Sequence, residues 1–88
     1  MPGHPTLADV PAGEQATLGT PDLEAVRVRR LAEMGLRAGT SVTVLLRTAG
    51  GGRVIALGDD RIALDGGTLR RLRIVDRSAV GAGGGESG

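Results

Sequence analysis

Apolar positions recur along this chain with two different periods, and the points where the period changes mark the elements. Thr6 to Val10 sets Leu7 and Val10 three apart, which predicts a single inward-facing turn that Pro11 ends. Glu14 to Gly19 alternates, with Ala16 and Leu18 on one face, and predicts a first strand. Thr20-Pro21-Asp22 is a helix-start pattern: Thr20 or Asp22 can accept an orphan backbone N–H, and Pro21 is tolerated at the first helical position. Val28, Leu31 and Met34 then repeat at three-residue spacing, which predicts a helix to about Met34 with that row inward and Arg27, Arg30 and Glu33 outward. Gly35 stands where a left-handed residue stops a helix, with Leu36 able to fold back onto Leu31.

Past the Ala38-Gly39 turn the period becomes two. Val42, Val44 and Leu46 share one strand face, with Thr43, Leu45 and Arg47 on the other. The run Gly50-Gly51-Gly52 suits a hairpin loop. Arg53 to Leu57 and Arg61 to Leu64 read as two strands joined by Gly58-Asp59-Asp60, with Ile55, Leu57, Ile62 and Leu64 inward. Gly66 to Leu69 forms a turn or a single 3₁₀ turn with Leu69 plugging one end, and Leu72 and Ile74 belong to a last strand. Five short strands and one helix inserted after the first predict a mainly β fold, a small five-stranded, partly open barrel of SH3-like architecture. Its bounds are residues 6–76, with 1–5 as a flexible lead-in rich in proline and 77–88 as a flexible glycine-rich tail.

Composition narrows the function. Eighty-eight residues make one small domain, and without Phe, Trp or Tyr the core must come from Leu, Val, Ile and Met. All 11 basic residues are Arg, yet 10 acidic residues leave a net charge of only +1. That balance, together with the lack of aromatic platforms for unpaired bases, argues against a nucleic-acid site. The same lack excludes the aromatic-lined groove by which signalling SH3 domains hold proline-rich peptides. With no Cys, Lys or Tyr, and His4 alone in the lead-in, the chain lacks the usual nucleophiles and bases, so no catalytic residue is assigned.

No cofactor or metal ligand is assigned either: Asp59, Asp60 and Asp65 could gather at a hairpin end, but as solvated carboxylates. Neither glycine run is followed by the Lys-Ser/Thr and helix of a phosphate loop. The strongest apolar run, Val42 to Leu46, is far short of the roughly 20 residues that span a bilayer, so no membrane insertion is expected. No basic stretch followed by an apolar one marks a secretory leader.

The ordered set Leu7, Gly13, the run Arg29-Arg30-Leu31-Ala32-Glu33-Met34-Gly35-Leu36, Gly39, Val42, Val44, Ile62, Leu64 and Leu72-Arg73-Ile74 resembles the FeoA family from about Leu7 to Val75. Ala38 replaces the proline common in that family's turn, and the loop after Thr48 is shorter and richer in glycine. The resemblance implies an SH3-like cytoplasmic domain, without enzymatic activity, that assists ferrous-iron uptake beside the FeoB-type membrane transporter. It also implies kinship with the C-terminal domain of DtxR-type metal-dependent repressors. The alternative is thus a regulatory module that binds a transcriptional partner or RNA. The candidate partner surface is Leu23, Leu45, Val54, Arg70 and Arg71; no feature fixes an oligomeric state.

Overall fold

The computed structural model describes residues 5–79. A 3₁₀ turn over Leu7–Asp9 leads into β1 (Glu14–Leu18), α1 (Ala25–Glu33), β2 (Ser41–Arg47), β3 (Arg53–Leu57), β4 (Asp60–Leu64), the one-turn helix α2 (Gly66–Leu69) and β5 (Ile74–Ala79). The five strands form one antiparallel sheet in the order β4-β3-β2-β1-β5. Two register irregularities, between Thr17 and Leu18 and between Val44 and Leu46, supply local bends of the kind that help a small sheet curl over its core. The expected mainly β, SH3-like architecture with one inserted helix is the observed one.

Leu7 and Val10 are both fully buried, as their spacing predicts. A capping box fixes that turn: the Asp9 carboxylate accepts from the Thr6 N–H at 2.9 Å and the Thr6 hydroxyl accepts from the Ala8 N–H at 3.3 Å. The Leu7 N–H reaches the Leu72 carbonyl at 2.8 Å, joining the start of the domain to its end. Among the described residues thirteen aliphatic side chains make up the buried core, Leu18, Leu36, Ile55 and Leu69 among them, with Leu57 and Ile62 packed against it.

The helix begins later than its sequence signals suggest. Ala25 is the first helical residue and Glu24 the N-cap, without a side-chain cap. The Asp22 N–H is bound instead to the Arg71 carbonyl at 2.8 Å, so residues 20 to 23 serve as a tether to the segment between α2 and β5 and not as a first turn. The C-terminus follows expectation: the Leu36 N–H bonds the Leu31 carbonyl and the Gly35 N–H the Ala32 carbonyl, both at 2.9 Å, the two bonds of a Schellman stop. Gly35 takes φ +96° there. Of the expected inward row, Leu31 is buried and Val28 half-buried, but Met34, at the C-cap, is 43% exposed.

Leu46 also departs from its expected inward place, and the cause is covalent order and not polarity. Thr43 faces Ala56, Val44 faces Ile55, and Leu46 faces Val54, which leaves Leu45 as an extra residue in a bulge. The alternation slips by one, so both leucines are exposed, Leu45 at 37% and Leu46 at 49%. The loop that follows closes tightly at Gly52, which is buried; a Cβ there would stand 2.8 Å from the Leu64 carbonyl oxygen. The last strand continues three residues past Asp76, because the whole length of β1 offers it partners, Glu14 opposite Ala79 and Gln15 opposite Ser78. Of the expected lead-in and tail, residues 1–4 and 80–88 lie outside the described residues.

Candidate functional site

The polar side chains converge where α1 meets α2. Asp65 opens α2 as its N-cap, its Oδ1 accepting from the Thr68 N–H at 2.8 Å. That arrangement needs a short acceptor followed three residues later by a free N–H, and Asp65-Gly66-Gly67-Thr68 supplies it. The Asp65 carboxyl is held below the usual carboxylate range, first by the Thr68 hydroxyl, then by its backbone N–H, with the guanidiniums of Arg27 and Arg70 adding to the effect. Thr68 itself is buried, and its hydroxyl accepts a 3.2 Å hydrogen bond from Arg27 Nη2 on α1. Helix and turn are thus joined by a chain of polar contacts running from Arg27 through Thr68 to Asp65.

Two hollows flank this junction. One, about 330 Å³, is lined by Leu23, Glu24 and Arg27 on one wall and by Asp65, Thr68 and Arg71 on the other. Each wall carries one guanidinium and one carboxylate, so the hollow has no dominant sign. Arg71 is held only loosely, its Nη1 lying 3.8 Å from an Asp22 carboxylate oxygen with both side chains well exposed. The second hollow, about 190 Å³, shares Arg27 and Thr68 with the first and adds Arg30, Leu31, Met34 and Leu64.

The five residues singled out from the sequence fall on two surfaces. Leu23 and Arg71 line the same hollow, with Arg70 beside it, close enough to lower the Asp65 pKa. Leu45 and Val54 belong to the outer face of β2 and β3, where Val54 pairs with Leu46 and with Ala63 of β4. Val54 is half-buried there, not fully exposed, so Leu45 and Leu46 dominate that patch. Asp59 and Asp60 do not gather with Asp65. They stand at the β3–β4 turn while Asp65 follows the far end of β4, and no group of three or more His, Cys, Asp or Glu able to hold a metal occurs among the described residues.

From the sequence Arg27 is an outward helix position and Leu46 an inward strand position, and Thr68 has no assigned role. Asp65 followed by Gly66-Gly67-Thr68 is a pattern that could have signalled the cap, whereas the bulge that exposes Leu46 carries no glycine or proline to announce it. Arg53 has a different role: its Nη2 donates to the Ala8 carbonyl at 2.7 Å and pins the first turn to β3, while its Nη1 is buried without a partner.

Chemically, the junction offers guanidiniums, carboxylates and one hydroxyl, groups that recognise and orient. No helix among the described residues is long and apolar enough to cross a membrane.

Comparison with known proteins agrees with this architecture. The FeoA domain family matches residues 6–76. Among solved structures, the zinc complex of Stenotrophomonas maltophilia FeoA, described as a prokaryotic SH3 domain protein, is 26% identical. The match covers 83% of this chain and 94% of that one, with a TM-score of 0.69. A FeoA-like protein from Clostridium acetobutylicum is 16% identical over 85% of this chain and 88% of that one, with a TM-score of 0.71. A manganese-dependent transcriptional repressor is 21% identical over 86% of this chain but only 44% of its own length, at a TM-score of 0.69. The last two likenesses concern the fold. No curated protein matches. With its family match spanning the barrel from the capped first turn into the last strand, the chain belongs to the FeoA family.

Proposed function

We propose that this protein is a cytoplasmic, non-enzymatic accessory of ferrous-iron uptake that acts by binding the cytosolic part of a FeoB-type transporter. Membership of the FeoA family supports the iron-transport role. The observation that carries the contact is the outward apolar row Leu46–Val54–Ala63, widened by Leu45 in the bulge. The bulge leaves Leu46, which strict alternation would bury beside Val44, half exposed next to an exposed Leu45, and a partner that covers them recovers part of the about 1.5–3 kcal/mol of full leucine burial. The basic residues Arg70 and Arg71 and half-buried Leu23 provide a second, polar contact at the α1–α2 junction.

The test is calorimetric titration of the domain into the purified cytosolic GTP-binding domain of the same organism's transporter. Saturable binding is expected, weakened at least roughly ten-fold by Leu46→Asp or by Leu45→Asp with the fold retained. Binding that survives both substitutions would displace the contact from this face.

The likeness to a metal-dependent repressor over most of this chain favours one second reading, a regulatory module that binds a transcriptional partner or RNA. It predicts retardation of mixed RNA at low salt, lost on substitution of Arg70 and Arg71; absence of retardation removes the RNA arm.

A further inference from the structure

The smaller hollow at the α1–α2 junction has a composition unlike its neighbour. Its charged lining is Arg27 and Arg30 with no carboxylate, its buried polar group is the Thr68 hydroxyl, and its apolar walls are Leu31, Met34 and Leu64. Three α1 residues, Arg27, Arg30 and Leu31, and the C-cap Met34 lie on one side of the helix, at three- and four-residue spacings. The one-turn helix and the end of β4 close the other side. Arg27 spends one of its five donors on Thr68 at a rather long 3.2 Å, and the Arg30 side chain makes no hydrogen bond or ion pair among the described residues. Met34, which the helical spacing directs to the core, lies instead at this site with 43% of its surface exposed. Its flexible thioether is suited to cover an apolar group of variable shape.

We propose that this pocket docks an acidic segment of a protein partner. One large aliphatic or aromatic side chain fills the roughly 190 Å³ between Leu31, Met34 and Leu64, and a neighbouring carboxylate is taken by Arg27 and Arg30. Charge complementarity selects this occupant: a basic segment meets two guanidiniums, and a purely apolar one leaves them without an acceptor as it covers them. The adjoining larger hollow, with a carboxylate on each wall, lacks this selectivity. The inference rests on the reading that this domain works by protein contact, and it supplies the chemistry of one such contact.

The test uses the ¹⁵N-labelled domain and the peptide acetyl-Gly-Glu-Phe-Glu-Gly-amide, its isostere with Gln in place of both Glu residues, and inorganic phosphate. The acidic peptide is expected to shift the amides of Leu31, Met34, Leu64 and Thr68. The Gln peptide should bind at least roughly ten-fold more weakly, the loss typical of one charge-assisted hydrogen bond. Arg30→Gln should cause a similar loss with the spectrum otherwise intact, since Arg30 is exposed, whereas Arg29→Gln, absent from this lining, should leave binding unchanged. Met34→Glu should weaken the peptide by removing the apolar wall and adding a repelling charge.

Equal affinity for the Gln peptide, shifts centred elsewhere, or the same Arg30-dependent shifts from phosphate alone would each overturn the proposal, the last by reducing the pocket to a bare cationic patch. The transporter's cytosolic domain is titrated in parallel. If it binds with no sensitivity to Arg30→Gln, the pocket chemistry fails while the docking reading stands; if it does not bind, the docking reading fails on its own evidence.

Discussion

Asp65 is the residue on which the α1–α2 junction depends. Its carboxylate caps α2, and its pKa lies below the unfolded value. A group of this kind stabilises the fold fully above its unfolded pKa, and its contribution is lost as pH falls through the folded pKa. Asp65→Asn is therefore expected to lower the unfolding midpoint at pH 7, and to lower it progressively less as pH falls below the unfolded carboxylate value, as urea denaturation over an acid pH series would register. The leucines divide between buried and exposed positions. Leu69 is fully buried, so Leu69→Ala should cost about 2–5 kcal/mol. Leu46 is 49% exposed, so Leu46→Asp should stay within roughly 0.5 kcal/mol of the parent while weakening the proposed partner contact at least roughly ten-fold. A comparable loss from both substitutions would place Leu46 in the core after all.

At the level of elements, turns and strand faces with their own chemistry were legible in the sequence. Leu7 and Val10, Ala16 and Leu18, Val42 and Val44, and the Gly35 helix stop all sit where spacing and residue type place them. What was not legible depended on partners distant in the chain. The helix start is set by the Arg71 carbonyl that holds the Asp22 N–H, nearly fifty residues away, and nothing in Thr20-Pro21-Asp22 encodes that competitor. The exposure of Leu46 follows from a bulge against β3, and the length of β5 from the free length of β1. The candidate site was half legible for the same reason: Leu23 and Arg71 were named, but Thr68 acquires meaning only when α1 lays Arg27 across it.

One turn invites a constructive test. The Thr40 N–H bonds the Arg37 carbonyl at 3.0 Å around Gly39 at φ +91°, so Ala38 holds the position where a proline presets the turn. Ala38→Pro should raise stability by about 0.4–1 kcal/mol through the unfolded chain. Destabilisation would mean that Ala38 does not hold the backbone angle a proline needs.

Taken whole, the molecule is a small aliphatic barrel whose chemically distinctive surfaces lie on the outer face of β2 and β3 and at the α1–α2 junction. Neither carries the imidazole, thiol or amine of a reaction centre. Both have groups that gain from being covered: Leu46, turned outward by a bulge beside exposed Leu45, and guanidiniums without full partners. The most direct test is an NMR titration of the labelled domain with the cytosolic GTP-binding domain of its own organism's ferrous transporter. The account predicts shifts confined to Leu45, Leu46 and Val54, to the junction around Arg27, Thr68 and Arg71, or to both. An unchanged spectrum at high concentration of that domain would contradict it.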